Sequence, residues 1–172
     1  TGEELTYADE ADVYERLGYE LIPPELRENA GELEAARKGE LPKLVELGDV
    51  KGDLHSHTTY SDGRESLEQM ALAARERGYA YLAVTDHPRG TLAEQDLEID
   101  ALNERLKPFR LLKGIEVNIR IDGSLSLPDD VLAQRDWVIA SLHAAFDRNP
   151  TERILAAMDN PHVHMIGHLT AR

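Results

Sequence analysis

The sequence predicts an α/β fold, specifically an incomplete β/α barrel of about five βα units preceded by a short helical leader. Three observations lead there. Short apolar segments alternate with amphipathic ones roughly every 25 to 30 residues, turn residues separate them, and histidines recur where the apolar segments end. Strands that alternate with helices pair in parallel, and such sheets gather functional groups at the carboxyl ends of their strands.

The leader comes first. Residues 10–17 followed by Gly18 form a helix with a glycine stop, and Pro23-Pro24 opens a second helix that runs toward Gly39, with proline in its first turn. Leu41-Pro42 and Gly48 then punctuate the chain, dividing a leader at residues 1–48 from a main domain at 49–172. The first strand is expected at 50–56. The helix after it starts on Ser66-Leu67-Glu68-Gln69, a capping-box pattern, and stops at Gly78. Residues 81–85 form the second strand and 94–106 a helix closed by Pro108. Residues 110–119 form the third strand, extending toward Ile121 before the Asp122-Gly123 turn. The fourth strand lies at 137–142, a helix at 152–158 follows Asn149-Pro150-Thr151, and the fifth strand spans 163–167. Five strands do not close a barrel of eight, so the domain is expected to lack its C-terminal strands and to present open, marginally stable edges.

Composition narrows the function. With 172 residues, 41% of them hydrophobic, the chain can bury one ordinary core, and no apolar run approaches the roughly 20 residues of a membrane span. It reads as soluble and globular. Cysteine is absent and the first residues lack a secretory pattern, so the expected setting is cytoplasmic, with no membrane partner. The net charge is −14, of which −8 falls on residues 1–48 and −6 on the rest. That balance argues against a broad cationic groove for nucleic acid; contact with phosphates should be local and assisted by bound cations.

The candidate chemistry centres on Asp53-Leu54-His55-Ser56-His57. His55 and His57 are two apart on one strand, so their imidazoles face the same side and can share a metal. Five of the seven histidines, His55, His57, His87, His143 and His168, fall at or just past a predicted strand end. Glu116 sits among apolar neighbours in the third strand, where a carboxylate is costly to bury unless paired or bound to a cation, and it is the candidate bridge between two metals. Asp62 lies in the Ser61-Asp62-Gly63 loop, either reaching a cation or serving as an ordinary turn aspartate. Asp86 is read as orienting a histidine or beginning the turn before Pro88 rather than as a ligand. Asn118 and Ser141 are candidate supporting donors near the ligands. His162 and His164 precede or open the fifth strand, away from His168, and are assigned a structural or surface role. A set of imidazole and carboxylate donors without thiolate suits two to three divalent ions, Mn²⁺, Zn²⁺ or Fe²⁺, and several cations in one pocket point to phosphoester hydrolysis.

Six ordered motifs, Asp53-Leu54-His55-Ser56-His57-Thr58, Ser61-Asp62-Gly63, Thr85-Asp86-His87, Gly114-Ile115-Glu116, Ser141-Leu142-His143 and Gly167-His168, together resemble the polymerase and histidinol phosphatase (PHP) family over roughly residues 49–172. The resemblance implies a distorted, TIM-like β/α barrel with a trinuclear metal centre that hydrolyses phosphomonoesters or phosphodiesters. By position, His55, His57 and Glu116 resemble ligands of one metal; Glu116, His143 and His168 those of a second; Asp62 and His87 part of a third. Glu116 and His143 would act through a metal-bound water. The family's closing Asp-x-His motif does not occur after His168. Leu169 and Ala171 stand where Pro and Gly are expected, and Arg172 matches a phosphate-contacting position.

Within that family, Tyr14-Glu15-Arg16-Leu17-Gly18 and Ile22-Pro23-Pro24-Glu25-Leu26-Arg27-Glu28 resemble the end of the polymerase region in bacterial family X DNA polymerases. That implies a 3′–5′ exonuclease or DNA 3′-end processing module for DNA repair, with an upstream polymerase module as partner and DNA 3′ ends or another phosphorylated molecule as substrate. Two other readings stand beside it: a small-molecule phosphatase of the histidinol phosphatase type, and an inactive piece with a structural role.

Overall fold

The computed structural model describes residues 6–90 and 92–169; Arg172 lies outside them. The chain forms two compact units, residues 1–47 and 48–172.

In the first unit, α1 (Glu10–Leu17) is capped by Asp9, whose side chain accepts from the Asp12 N–H at 3.1 Å, and it ends at Gly18 with φ of 77°. The single helix expected from Pro23 to Gly39 is not there. A 3₁₀ turn at Pro24–Leu26 stops, and α2 (Glu32–Lys38) begins afresh. The break has a local cause: Asn29 and Gly31 adopt φ of 56° and 105°, outside the right-handed helical region. Arg27 ties the unit together, donating to both oxygens of Glu10 at 2.8 Å and to the carbonyl of buried Ile22.

The second unit is a curled half-barrel of five parallel strands, β1 (Gly52–Ser56), β2 (Tyr81–Val84), β3 (Arg110–Asn118), β4 (Trp137–Ser141) and β5 (Met165–Gly167), hydrogen-bonded in chain order. Between them lie α3 (Leu67–Glu76), α4 (Leu92–Leu106), α5 (Asp129–Leu132) and α6 (Pro150–Met158). The capping box at Ser66 and Gln69 forms in both directions. The third strand stops at Asn118; beyond it Ile119 pairs antiparallel with Leu125 across the Asp122-Gly123 turn. Helix α5, four residues long, is too short to leave a periodic signature and was not expected.

Strand alternation sorts the side chains. On β2 and β3, Leu82, Val84 and Leu111 pack with Leu67, Ala71, Ile99 and Leu102 of α3 and α4. Further along, Ile115, Val117 and Ile119 join Val138, Ala140 and Leu142 against Leu132 and Ala157. The residues between them in sequence, Glu116 and Asn118 on β3 and Ser141 on β4, therefore face away from the helices. This places the polar set on one face of the half-barrel at the strands' carboxyl ends. Among the described residues, no helix is long and apolar enough to cross a membrane.

Candidate metal centre

Five imidazoles form a closed circuit around Glu116. Successive ring centroids lie 5.2 Å (His55–His57), 4.8 Å (His57–His87), 5.1 Å (His87–His143), 5.3 Å (His143–His168) and 5.5 Å (His168–His55) apart. Glu116 is 1% exposed, and its two oxygens face different members of the circuit. Oε2 lies 3.2 Å from Nε2 of both His55 and His57 and 3.7 Å from that of His87. Oε1 lies 3.3 Å from Nε2 of His143 and 3.1 Å from that of His168. Asp62 bridges His57 and His87 on the outer side, at 3.3 Å and 3.7 Å. The structure thus brings together all seven of the residues singled out as candidate ligands.

His168 reaches the circuit by a route that alternation does not supply. Two residues back, Ile166 packs on the helix side, so a regular strand would turn His168 the same way. Instead His168 has φ of 54°, a left-handed conformation uncommon outside glycine, and its ring swings to the carboxylate. Gly167 makes room for this: a Cβ there would collide with the Ser141 hydroxyl and approach Glu116 Oε1 at 3.5 Å.

The supporting contacts fix the donors. Asn118 Oδ1 lies 2.6 Å from His143 Nδ1, and an amide oxygen only accepts, so Nδ1 carries the proton and Nε2 presents its lone pair toward Glu116. Asn118 is therefore an acceptor rather than the donor expected from sequence. Asp86, 2% exposed, accepts from the Thr58 N–H (2.7 Å), the Thr58 hydroxyl (2.6 Å), the Ser61 hydroxyl and Gln95 Nε2 (2.6 Å). It is a brace for the loop that carries Asp62; no histidine is among these partners, so Asp86 acts on the ligands through the loop backbone rather than by the direct contact with a histidine read from sequence. Tyr60 anchors the same loop to α4 by donating to Glu98 at 2.8 Å, a bond that with burial pushes the phenol up to about 12. His164 accepts from the Val138 N–H at 3.1 Å and stacks on Trp137, away from the circuit.

The donor set fits cations. Neither Glu116 oxygen has a hydrogen-bond partner, although four ring nitrogens lie 3.1–3.3 Å away. Buried carboxylate oxygens left so are costly unless a cation is held between them and the rings. Spacing agrees: two donors about 2.1 Å from one tetrahedral ion would sit about 3.4 Å apart, and His55 Nε2 and His57 Nε2 are 3.2 Å apart. Among the sets whose donor atoms all lie within 4.8 Å of one another are His55, Glu116 and His168; His57, Asp62 and His87; and His87, Glu116 and His143.

Electrostatics point the same way. Burial raises the Glu116 carboxyl, but the polar neighbours His57, Ser141 and His55 more than reverse this and hold it well below the usual carboxylate range. The Ser141 hydroxyl does so by proximity, without a hydrogen bond of ordinary geometry. The nearby Glu116 raises His57, against the opposing effect of burial, whereas burial lowers His143. For Asp62, burial is outweighed by Ser61, His57 and His87, and its pKa falls.

One buried side chain was not anticipated. Arg153 of α6 is 3% exposed and donates to the carbonyls of Ile119 (2.7 Å) and Arg120 (2.9 Å), just past β3, and of Ala144 and Ala145 (2.8 Å to the latter), just past His143. An arginine inside a helix carries no signal in sequence that it will reach backbone carbonyls in two separate loops.

A half-barrel with a histidine and carboxylate centre at its strand ends carries the donor set of a metal-dependent hydrolase site. Residues 53–170 match the PHP domain family model. Over its whole length the chain aligns with 32% of the DNA polymerase/3′-5′ exonuclease PolX of Bacillus subtilis (strain 168), at 44% identity. Two-thirds of it (67%) aligns with probable phosphatases of Thermoanaerobacter sp. (strain X514) and Caldicellulosiruptor bescii, at 35% and 29% identity, covering 52% and 53% of them. The chain belongs to the PHP domain family. It spans about a third to a half of the length of these curated relatives.

Proposed function

We propose that this chain carries a metal-dependent phosphoesterase site that processes DNA 3′ ends as the 3′–5′ exonuclease module of a longer polymerase of the PolX type. The observation that carries the hydrolytic reading is Glu116, buried with both oxygens lacking hydrogen bonds inside a circuit of five imidazoles. The DNA reading rests on the 44% identity to the Bacillus protein, which extends through the leader. Residues 1–48 would then be the tail of the polymerase region, and a DNA substrate would place the parent in the cytoplasm.

In this reading His55, His57 and Glu116 would hold one divalent ion, Glu116 with His143 and His168 would hold a second, and Asp62 with His87 would contribute to a third; Mn²⁺, Zn²⁺ and Fe²⁺ all suit the donors. Such ions would activate water and offset charge on the phosphate oxygens. The protein's own part is to keep the imidazole lone pairs converging, through Asn118 on His143 and the Asp86 brace beneath Asp62 and His57.

The decisive experiment incubates single-stranded DNA with the PolX-type parent and Mn²⁺. Stepwise loss of 3′ nucleotides is expected; an unshortened strand with full metal loading would refute the DNA assignment. The probable phosphatases among the relatives favour a second reading, a small-molecule phosphatase. Phosphate release from histidinol phosphate, with none from DNA ends, would select it.

Proton competition gives a further expected result. Because the His57 pKa is raised, its proton persists to higher pH than on a free imidazole, and a metal must displace it. Metal affinity should therefore rise with pH across the histidine range, because the raised His57 proton must leave before a metal can bind. Titrations of the metal-free protein with Mn²⁺ between pH 6 and 8 check this, and an affinity independent of pH would contradict it.

A further inference from the structure

Beside the circuit lies an open cleft of about 600 Å³, lined by Asp62, His87 and His143 and by Pro88, Arg89, Asn118, Ser126 and Leu127. The volume falls in the ordinary range for small-ligand sites, roughly 300 to 1,000 Å³. Three of its lining residues belong to the candidate metal centre, so a molecule held there is presented to that centre. Its other lining residues divide by chemistry. Pro88 and Leu127 are apolar, while Arg89 and Ser126 are polar and uncommitted in a specific way. Arg89 is exposed and is the lone arginine or lysine lining the cleft, and among the described residues no ion pair joins it to a carboxylate. The Ser126 hydroxyl accepts from the Asn118 N–H at 3.0 Å, which leaves its own proton available to an anion.

We propose that this cleft holds the terminal nucleotide of a DNA strand, with Arg89 gripping a phosphate that flanks the scissile bond and Ser126 donating to the same phosphate. The inference rests on the reading of the site as a DNA 3′-end phosphoesterase and adds the residue that selects a phosphodiester chain over an isolated phosphate. Charge makes a local cation necessary. The chain carries a net −14, so a polyanion approaching the cleft is repelled unless a fixed positive charge and the bound ions offset the field at short range. Arginine suits the task because its planar fork matches two phosphate oxygens at once. The apolar walls supply surface for the sugar and base without reading sequence, as an end-processing enzyme requires.

The test separates this inference from the function on which it rests. Binding of a fluorescent single-stranded oligonucleotide with hydrolysis-resistant phosphorothioate linkages is measured on the Mn²⁺-loaded protein across a salt series, for the wild type, Arg89→Ala and Arg89→Lys. Arg89→Ala is expected to weaken binding about tenfold and to reduce the slope of log affinity against log salt by about 0.7, the share of one phosphate contact on a single strand. Arg89→Lys should restore the slope while recovering only part of the affinity. A general structural disturbance would not change the salt slope by one contact. Unchanged affinity and slope in Arg89→Ala, or no binding of the oligonucleotide by the wild type, would overturn the inference. Binding with the expected Arg89 dependence, but no shortening of the unmodified strand, would uphold it while refuting the hydrolytic reading.

Discussion

Replacing Glu116 by glutamine is expected to lower metal affinity by at least about 100-fold and phosphoesterase activity by at least as much, since even residues that merely support metal ligands are worth about 10- to 100-fold. The substitution keeps the volume and removes the charge. Both carboxylate oxygens lack hydrogen bonds and face two sets of imidazoles, so one change is expected to weaken two ion sites at once. A 100-fold loss of affinity removes about 2.7 kcal/mol of metal-linked stability under conditions where the wild type is saturated. The empty proteins differ by whatever the buried charge itself contributes, so the quantity compared is each protein's own rise in melting temperature on adding Mn²⁺. Thermal melts with and without Mn²⁺ read that rise. A Glu116→Gln protein that kept its metal-dependent rise in melting temperature would show that the carboxylate is not the bridge.

Arg153→Met is expected to lower stability by about 3 kcal/mol, for a reason remote from the chemistry. The guanidinium is the partner shown for the carbonyls of Ile119 and Ala144, and it also serves Arg120, Ala145 and Arg148. Methionine fills the space of the stem but leaves buried acceptors unpaired, each costing about 1 to 3 kcal/mol, and relief of the buried charge offsets part of that. Ala145 has φ of 53°, a conformation that needs holding, and Arg153 holds it. In a chain of this size the melting temperature should fall by about 6 to 12 °C. Arg153→Lys should recover part of the loss, since three donors replace five. A change below about 1 kcal/mol would show that water replaces the guanidinium without penalty.

The sequence made the five-strand order and six of the seven candidate ligands legible for one reason: a parallel α/β sheet writes its strand ends as apolar runs that stop at polar residues. His55, His57, His87, Glu116, His143 and His168 were singled out by that pattern, and Asp62 by its place in the loop before Gly63. The orientation of His168, however, depends on a left-handed backbone that no side-chain pattern encodes. The leader shows the converse. Proline at the start and glycine at the end of a helical stretch read as one helix, but Asn29 and Gly31 broke it in two, and propensity could not weigh those two residues against the flanking alanines and leucines. Arg89 and Arg153 were not assigned roles from sequence, and Asn118 was read as a supporting donor where the structure makes it the acceptor for His143. Each acts through a neighbour that lies far away along the chain or through a cleft that exists only after folding. The expected phosphate contact, Arg172, falls outside the described residues.

The central claim is that Glu116 and the five histidines around it hold divalent ions. Metal analysis of the chain, purified without chelator and then titrated with Mn²⁺ or Zn²⁺ at pH 8, tests it most directly. The account predicts at least two ions per chain held at or below about micromolar dissociation constants, about 8 kcal/mol of binding or more. It also predicts that Glu116→Gln loses them. Protein that carries no ion above background and shows no saturable binding would contradict the account at its base.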